Sequence, residues 1–206
     1  MLDSKGFDLW ADGYDKTVDL SEEAEEYPFA GYKEVLGGVF NAVRQGEGKK
    51  VLDIGFGTGV LTKKLYDDGY EISGIDFSEK MLETAKAKMP EARLIKHDFS
   101  LGLPQELDGE SFDFVICTYA FHHLTNPQKI GFIKELQRRL TQKGKLLIGD
   151  IAFERLAELE ECKKKAGEDW DGEEIYAVAE ELRNEFPKLK FEKISFCAGI
   201  FTFENC

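Results

Sequence analysis

No apolar run in this chain approaches the roughly 20 residues that a membrane-spanning helix needs. The opening Met1-Leu2-Asp3-Ser4-Lys5 lacks both the basic and the apolar region of a signal peptide, so a cytoplasmic protein that does not enter a membrane is expected. Cysteine is sparse: Cys117, Cys162, Cys197 and Cys206 show no C-x-x-C pairing and no metal-ligand spacing, which argues against disulfides and a zinc site. Cys117 and Cys197 sit in apolar runs, where a thiol acts as a small hydrophobe. Histidine is scarcer still, at His97, His122 and His123. Adjacent side chains diverge and no carboxylate spacing completes a ligand set, so no metal is expected. Basic residues are in deficit, 27 against 40 acidic, a net charge of −13. A field of that sign repels a phosphate backbone and disfavours nucleic acid as a partner, although it also serves solubility. Internal repeats and low-complexity segments are absent.

What is present is 206 residues with 42% apolar and 12% aromatic content, enough for one α/β domain with a real core. Residues 1–45 hold an aromatic segment containing Phe7, Trp10, Tyr14 and Asp15, either a lid or a helix docked on the core. A helix opened by Tyr27-Pro28 follows, with Phe29, Tyr32, Leu36, Val39, Phe40 and Val43 at three- and four-residue steps. Between 50 and 150, strand and helix alternate. Strands are expected at 51–54, 70–75, 92–96, 112–117 and 146–149, with acids Asp53, Asp76, Asp98 and Asp150 in or just after their last residues. Residues 151–206 read as two amphipathic helices, 152–165 and 173–186, then a hairpin of 190–197 and 200–203 closing the sheet edge. The fold class is therefore α/β: a doubly wound, mostly parallel seven-stranded sheet with an antiparallel C-terminal edge hairpin.

Val51-Leu52-Asp53-Ile54-Gly55-Phe56-Gly57-Thr58-Gly59 carries the ligand signal. A buried strand runs into three glycines in five residues and then into a helix with Leu61 and Leu65 on one face. The backbone there takes left-handed turns and lets another molecule approach, with free helix N–H groups suited to an anion. A dinucleotide fingerprint, G-x-G-x-x-G, fails because Val60 occupies its third glycine position. Asp76 lies 23 residues beyond Asp53. That is close to the spacing of about 20 at which a strand-end acid meets ribose hydroxyls; capping the next helix is its alternative role.

With D-x-G-x-G-x-G, the acid at Asp76, His97-Asp98-Phe99 and the closing hairpin, the chain resembles the class I S-adenosylmethionine-dependent methyltransferases over nearly its whole length. Asp8 to Asp15 and the run Tyr119-Ala-Phe-His-His-Leu-Thr125 look like the YrrT-like bacterial methyltransferases within that superfamily. The resemblance implies S-adenosylmethionine as co-substrate. It sets Gly55, Gly57 and Gly59 against the methionine part, Asp53 toward the ammonium group, Asp76 with Phe77 at the ribose, Asp98 and Phe99 at the adenine, and Tyr14 at the carboxylate. It also puts Tyr119 near the transferring methyl and makes His122 or His123 a candidate general base. The expected reaction is in-line methyl transfer to a small-molecule acceptor. The rivals are a methyltransferase of RNA or protein and a protein that binds the cofactor without catalysis.

Overall fold

The computed structural model describes residues 26–205. Seven strands run in the order β3-β2-β1-β4-β5-β8-β7. They are β1 (Lys50–Ile54), β2 (Glu71–Asp76), β3 (Arg93–Lys96), β4 (Phe112–Thr118), β5 (Leu140–Phe153), β7 (Lys190–Lys193) and β8 (Ala198–Glu204). The short β6 (Ala177–Val178) pairs with the end of β5, off that path. Strands β1 to β5 are mutually parallel and β8 runs antiparallel to both β5 and β7. The mostly parallel sheet with a reversed C-terminal hairpin is the architecture the alternating pattern implied.

The central strands are buried on both faces, so their side chains feed two cores. Val51, Phe114, Ile116 and Leu147 face α1 (Tyr32–Arg44), α2 (Val60–Asp67) and α3 (Glu79–Lys88) through Val35, Val39, Leu61, Leu65, Leu82 and Ala85. Leu52, Ile54, Val115, Cys117 and Ile148 face α4 (Asn126–Gln137) through Phe132, Ile133 and Leu136. Ser78 caps α3, accepting the Met81 N–H at 3.2 Å. For α4 the cap is Thr125, one residue earlier than Asn126-Pro127 suggested, and Gln128 Oε1 accepts its backbone N–H at 3.0 Å.

Three expectations need correction. The first helix starts at Tyr32, not at Pro28, because residues 27–31 form a turn that ends in left-handed Gly31. The fifth strand runs from 140 to 153, past Asp150. Ile151 pairs with Ala198, and Ala152 and Phe153 pair with β6, so the following helix, α5 (Leu156–Ala166), is displaced to 156. Residues 173–186 are not one helix. Their helical spacing is overridden by tertiary hydrogen bonds: the Ile175 N–H donates to the His122 carbonyl at 3.1 Å, and the buried Lys129 ammonium donates to the Ile175 carbonyl at 2.6 Å. Only α6 (Ala179–Leu182) remains helical. The aromatic segment with Phe7, Trp10, Tyr14 and Asp15 lies outside the described residues, as does Cys206.

Candidate active site

A cavity of about 470 Å³ opens where β1, β2, β4 and β5 end, at the point where the strand order reverses between β1 and β4. Ligands of open α/β sheets sit at such a switch point. One half is built by the glycine loop. Gly55, Gly57 and Gly59 have φ of +68°, +56° and +77°, a region in which a side chain is strained. A Cβ on Gly55 would lie 2.6 Å from the Ala120 Cβ, so the fold itself needs that glycine. A Cβ on Gly57 would meet nothing within 4 Å, and the residue lines the cavity. Gly57→Ala is therefore expected to cost about 1–2 kcal/mol of stability from backbone strain and to weaken cofactor binding by more than roughly tenfold. Parallel melting and calorimetric titration with S-adenosylhomocysteine would show it. Unchanged affinity would mean that no ligand passes that backbone.

Two carboxylates flank the loop. Asp76, at the tip of β2, accepts the Gly57 N–H on Oδ2 and the Ser78 N–H on Oδ1, each at 2.9 Å, which fixes its orientation. Asp53 is fully buried in β1, and its Oδ2 accepts the Thr62 hydroxyl at 2.5 Å. Its Oδ1 has no hydrogen-bond partner among the described residues, although the side chain lines the cavity. Burial pushes the Asp53 carboxyl up to about 7, against the Thr62 hydrogen bond and with help from the Asp76 charge. A buried acceptor without a partner, on a side chain that lines a cavity, calls for a donor or a cation. Phe77, Met81 and Phe99 add an apolar wall. Asp98 is exposed and caps the 3₁₀ turn Phe99–Leu101, accepting the Ser100 N–H at 2.9 Å; it is Phe99 that lines the cavity at this strand tip.

The other half begins at Tyr119. Just past β4, this residue has φ of +49°, a conformation that costs a side-chain-bearing residue on the order of 1–3 kcal/mol and is over-determined by its surroundings. Its N–H donates to the Gly149 carbonyl at 2.9 Å, and its ring packs on Tyr32 and Phe29 with centroids 4.8 and 5.9 Å away. The 3₁₀ turn Phe121–His123 then brings His122 over Asp150. His122 Nδ1 lies 2.7 Å from Asp150 Oδ1, and the His122 backbone N–H donates to Oδ2 at 3.1 Å. On the far side of the ring, Nε2 faces Glu174 Oε1 at 3.4 Å.

Burial alone would lower the His122 pKa, but the Asp150 charge and hydrogen bond, with the Glu174 charge, outweigh it and hold the ring above the usual histidine value. Burial would raise the Asp150 carboxyl. The His122 charge and hydrogen bond and the Ile151 N–H instead keep it below the usual carboxylate range. His123, stacked edge-on at 4.1 Å from His122, is driven down to about 3 by burial and by the charge of its neighbour. The pair thus holds one ring shifted up and one that stays neutral.

Glu174 is held by a relay. The Asp171 N–H donates to the Tyr27 hydroxyl at 3.2 Å, Tyr27 bonds to the Tyr176 hydroxyl, and Tyr176 donates to Glu174 Oε2 at 2.7 Å. Trp170 stacks on Tyr27 with centroids 5.2 Å apart. The resemblance set Tyr119 near the transferring methyl and made His122 or His123 a candidate base, and the structure brings all three to the cavity with Asp53, Asp76, Phe77 and Phe99. Sequence reasoning did not find Glu174, Tyr27 or Tyr176, and it gave Asp150 no role beyond ending a strand. The signal for Asp150 was available, since it follows Asp53, Asp76 and Asp98 as a fourth acid near a strand's carboxyl end. Tyr14 lies outside the described residues.

Residues 51–144 match the family model described as a methyltransferase domain. An uncharacterized methyltransferase of Alkaliphilus oremlandii is 32% identical over 195 residues, covering 95% of this chain and 85% of the relative. One of Bacillus licheniformis is 34% identical over 202 residues, covering 97% and 87%. Among solved structures, magnesium protoporphyrin IX methyltransferase from Synechocystis with bound S-adenosylhomocysteine has a TM-score of 0.66 at 21% identity, covering 86% of this chain and 85% of the other, a likeness of fold. Kinship over almost the full length of curated relatives, on a Rossmann-like sheet whose switch point carries this glycine loop, means that the chain belongs to the class I S-adenosylmethionine-dependent methyltransferases.

Proposed function

We propose that the chain transfers a methyl group from S-adenosylmethionine to a small-molecule acceptor that enters past Tyr119. The observation that carries this reading is the two-part cavity: a glycine-and-carboxylate half continuous with a half made of Tyr27, Phe29, Tyr32, Tyr119, His122, His123 and Glu174. About 470 Å³ falls within the range of small-ligand sites. The open Asp53 oxygen suits the ammonium of the cofactor's amino-acid tail. Asp76 stands where the ribose hydroxyls would meet an acceptor, and Phe77, Met81 and Phe99 offer an apolar seat for the adenine, with Asp98 at its edge. Tyr14 remains assigned to the tail carboxylate by resemblance alone.

The acceptor's nucleophilic atom forms a bond to the methyl carbon as the methyl–sulfur bond breaks. The electron pair goes to sulfur and cancels the sulfonium charge. The protein's part is to hold three atoms in line and keep water out, which the aromatic walls around Tyr119 are placed to do. The acceptor's proton passes to one of the two imidazoles, whose placement the Asp150–His122 pair fixes.

Among the described residues no lysine or arginine lines the cavity, while Asp53, Asp76, Asp169, Asp171, Glu173 and Glu174 do. That lining favours a neutral or cationic acceptor and weighs against RNA, as does the charge of −13. Among the described residues no helix is long and apolar enough to cross a membrane, and the proposed setting is the cytoplasm. Calorimetric binding of S-adenosylhomocysteine, followed by transfer of labelled methyl across a panel of neutral, cationic and anionic small molecules and bulk tRNA, tests the reading. Turnover confined to tRNA would overturn the small-molecule assignment, and binding without any transfer would leave a cofactor-binding protein.

A further inference from the structure

We propose that His122, His123 and Glu174 form a seat for one divalent metal ion on the acceptor side of the cavity. The inference rests on reading that half of the cavity as the acceptor's.

One ligand atom from each of the three residues lies within 4.8 Å of the others. The separation of His122 Nε2 and Glu174 Oε1, 3.4 Å, is about the edge of a tetrahedron whose metal–ligand bonds are roughly 2.0–2.1 Å. The two distances that involve His123 are no longer than 4.8 Å, so side-chain movement of at most roughly 1.5 Å in His123 and Glu174, both only half-buried, brings all three to that edge length.

What lies behind the ligands argues for more than proximity. The Asp150 oxygens already accept the Ile151 N–H at 2.7 Å and the His122 backbone N–H at 3.1 Å, so Asp150 faces His122 as an acceptor. The proton between Asp150 and His122 therefore sits on Nδ1, and in the neutral ring Nε2 is a bare lone pair aimed at a carboxylate. Two acceptors facing each other across 3.4 Å need a cation between them, either a proton on Nε2 or a metal ion. Metal-bound histidines are characteristically held in this way, with the second ring nitrogen donating to a carboxylate. The carboxylate ligand is also held from behind, because Glu174 Oε2 takes the Tyr176 hydroxyl at 2.7 Å. Lys129, bonded to the Ile175 carbonyl at 2.6 Å, fixes the backbone next to Glu174.

Two imidazoles and one carboxylate suit zinc or a neighbouring first-row ion rather than magnesium or calcium, which prefer oxygen ligands. Three protein ligands leave at least one position open, and all three residues line the cavity together with Tyr119. An acceptor hydroxyl or thiol bound at that position is acidified by the ion and gives its proton to solvent. The ion then takes over from the imidazole pair as the group that makes the nucleophile. The methyl donor and the bond made and broken stay as described above.

The test uses tag-free full-length protein, stripped with a chelator and titrated with Co²⁺ and Zn²⁺ alone. We expect one ion per chain, a visible Co²⁺ spectrum of the low-symmetry four- or five-coordinate kind, and displacement of Co²⁺ by Zn²⁺. Glu174→Gln and His123→Ala should each weaken Zn²⁺ binding by at least tenfold while S-adenosylhomocysteine still binds. Loss of the ion in both variants, with melting temperatures close to that of the parent, supports the seat. No saturable binding, or binding unchanged in both variants, overturns it. Retained S-adenosylhomocysteine binding in the same samples would then show that the cofactor half stands and that His122 carries a proton only.

Discussion

Replacing Asp76 by alanine is expected to weaken S-adenosylhomocysteine binding by roughly 100-fold or more, the largest loss of any single change at this site. Each hydrogen bond to a charged carboxylate is worth about 1.5–3 kcal/mol, and two ribose hydroxyls would be released together. The backbone loses as well. The Gly57 and Ser78 N–H groups now donate to Asp76, and both would be left to find water or each other's surroundings. Asp76→Asn keeps the size and one acceptor oxygen, so it should fall between parent and alanine. Calorimetry on the three proteins decides the matter. An affinity for Asp76→Ala within twofold of the parent would remove Asp76 from the cofactor's site.

Asp53→Asn should separate stability from binding. In the folded protein without ligand, this carboxyl is held up at about 7, against 3.8 for the ordinary side chain. A group whose folded value is raised stabilises fully below its unfolded value, and that contribution is lost as pH rises through the folded one. At pH 8 the parent therefore carries an ionised, buried carboxylate that asparagine does not. The variant should be more stable there by on the order of 2–4 kcal/mol, a rise in melting temperature of roughly 5–15 °C. The gap should close toward pH 4. Binding runs the other way. An ammonium group opposite Asp53 Oδ1 needs the ionised form, so the parent's affinity for S-adenosylhomocysteine should fall as pH drops below about 7. The variant should bind about 10- to 100-fold more weakly at pH 8, with little slope against pH. A variant that melts lower than the parent at pH 8, or that keeps the parent's pH-dependent affinity, would contradict this account.

The cofactor half of the site was legible because its signals are local. A β-strand, three glycines and a helix start lie within a dozen residues, and Asp76 sits at a strand tip whose apolar lead-in is plain. The acceptor half is assembled from residues far apart in the chain, and there local pattern misled. Ile175, Val178, Ala179, Leu182 and Phe186 repeat at helical spacing, yet Ala177 and Val178 pair with β5, and Ile175 is pinned from both sides by His122 and Lys129. That extended course is what delivers Glu174 to His122, about fifty residues earlier in the chain. No periodicity could announce it, because the hydrogen bonds that override the helix come from another element. The adjacent histidines were expected to diverge. Their rings instead meet at 65° with centroids 4.1 Å apart, since the tight 3₁₀ turn at 121–123 swings both toward one side.

The place of β8 in the sheet has a consequence for biogenesis. It lies inside, between β5 and β7, and its Gly199 pairs with Asp150. While a ribosome has delivered only the chain through α6, β5 is an open edge, with Leu147, Ile148 and Ile151 short of their final cover. The carboxylate that orients His122 stands on that edge. Until that last strand docks, β1 and β2, which carry the cofactor half, already have both their neighbours, whereas the acceptor half's β5 does not. In that interval β5 is the segment most exposed to pairing with another chain.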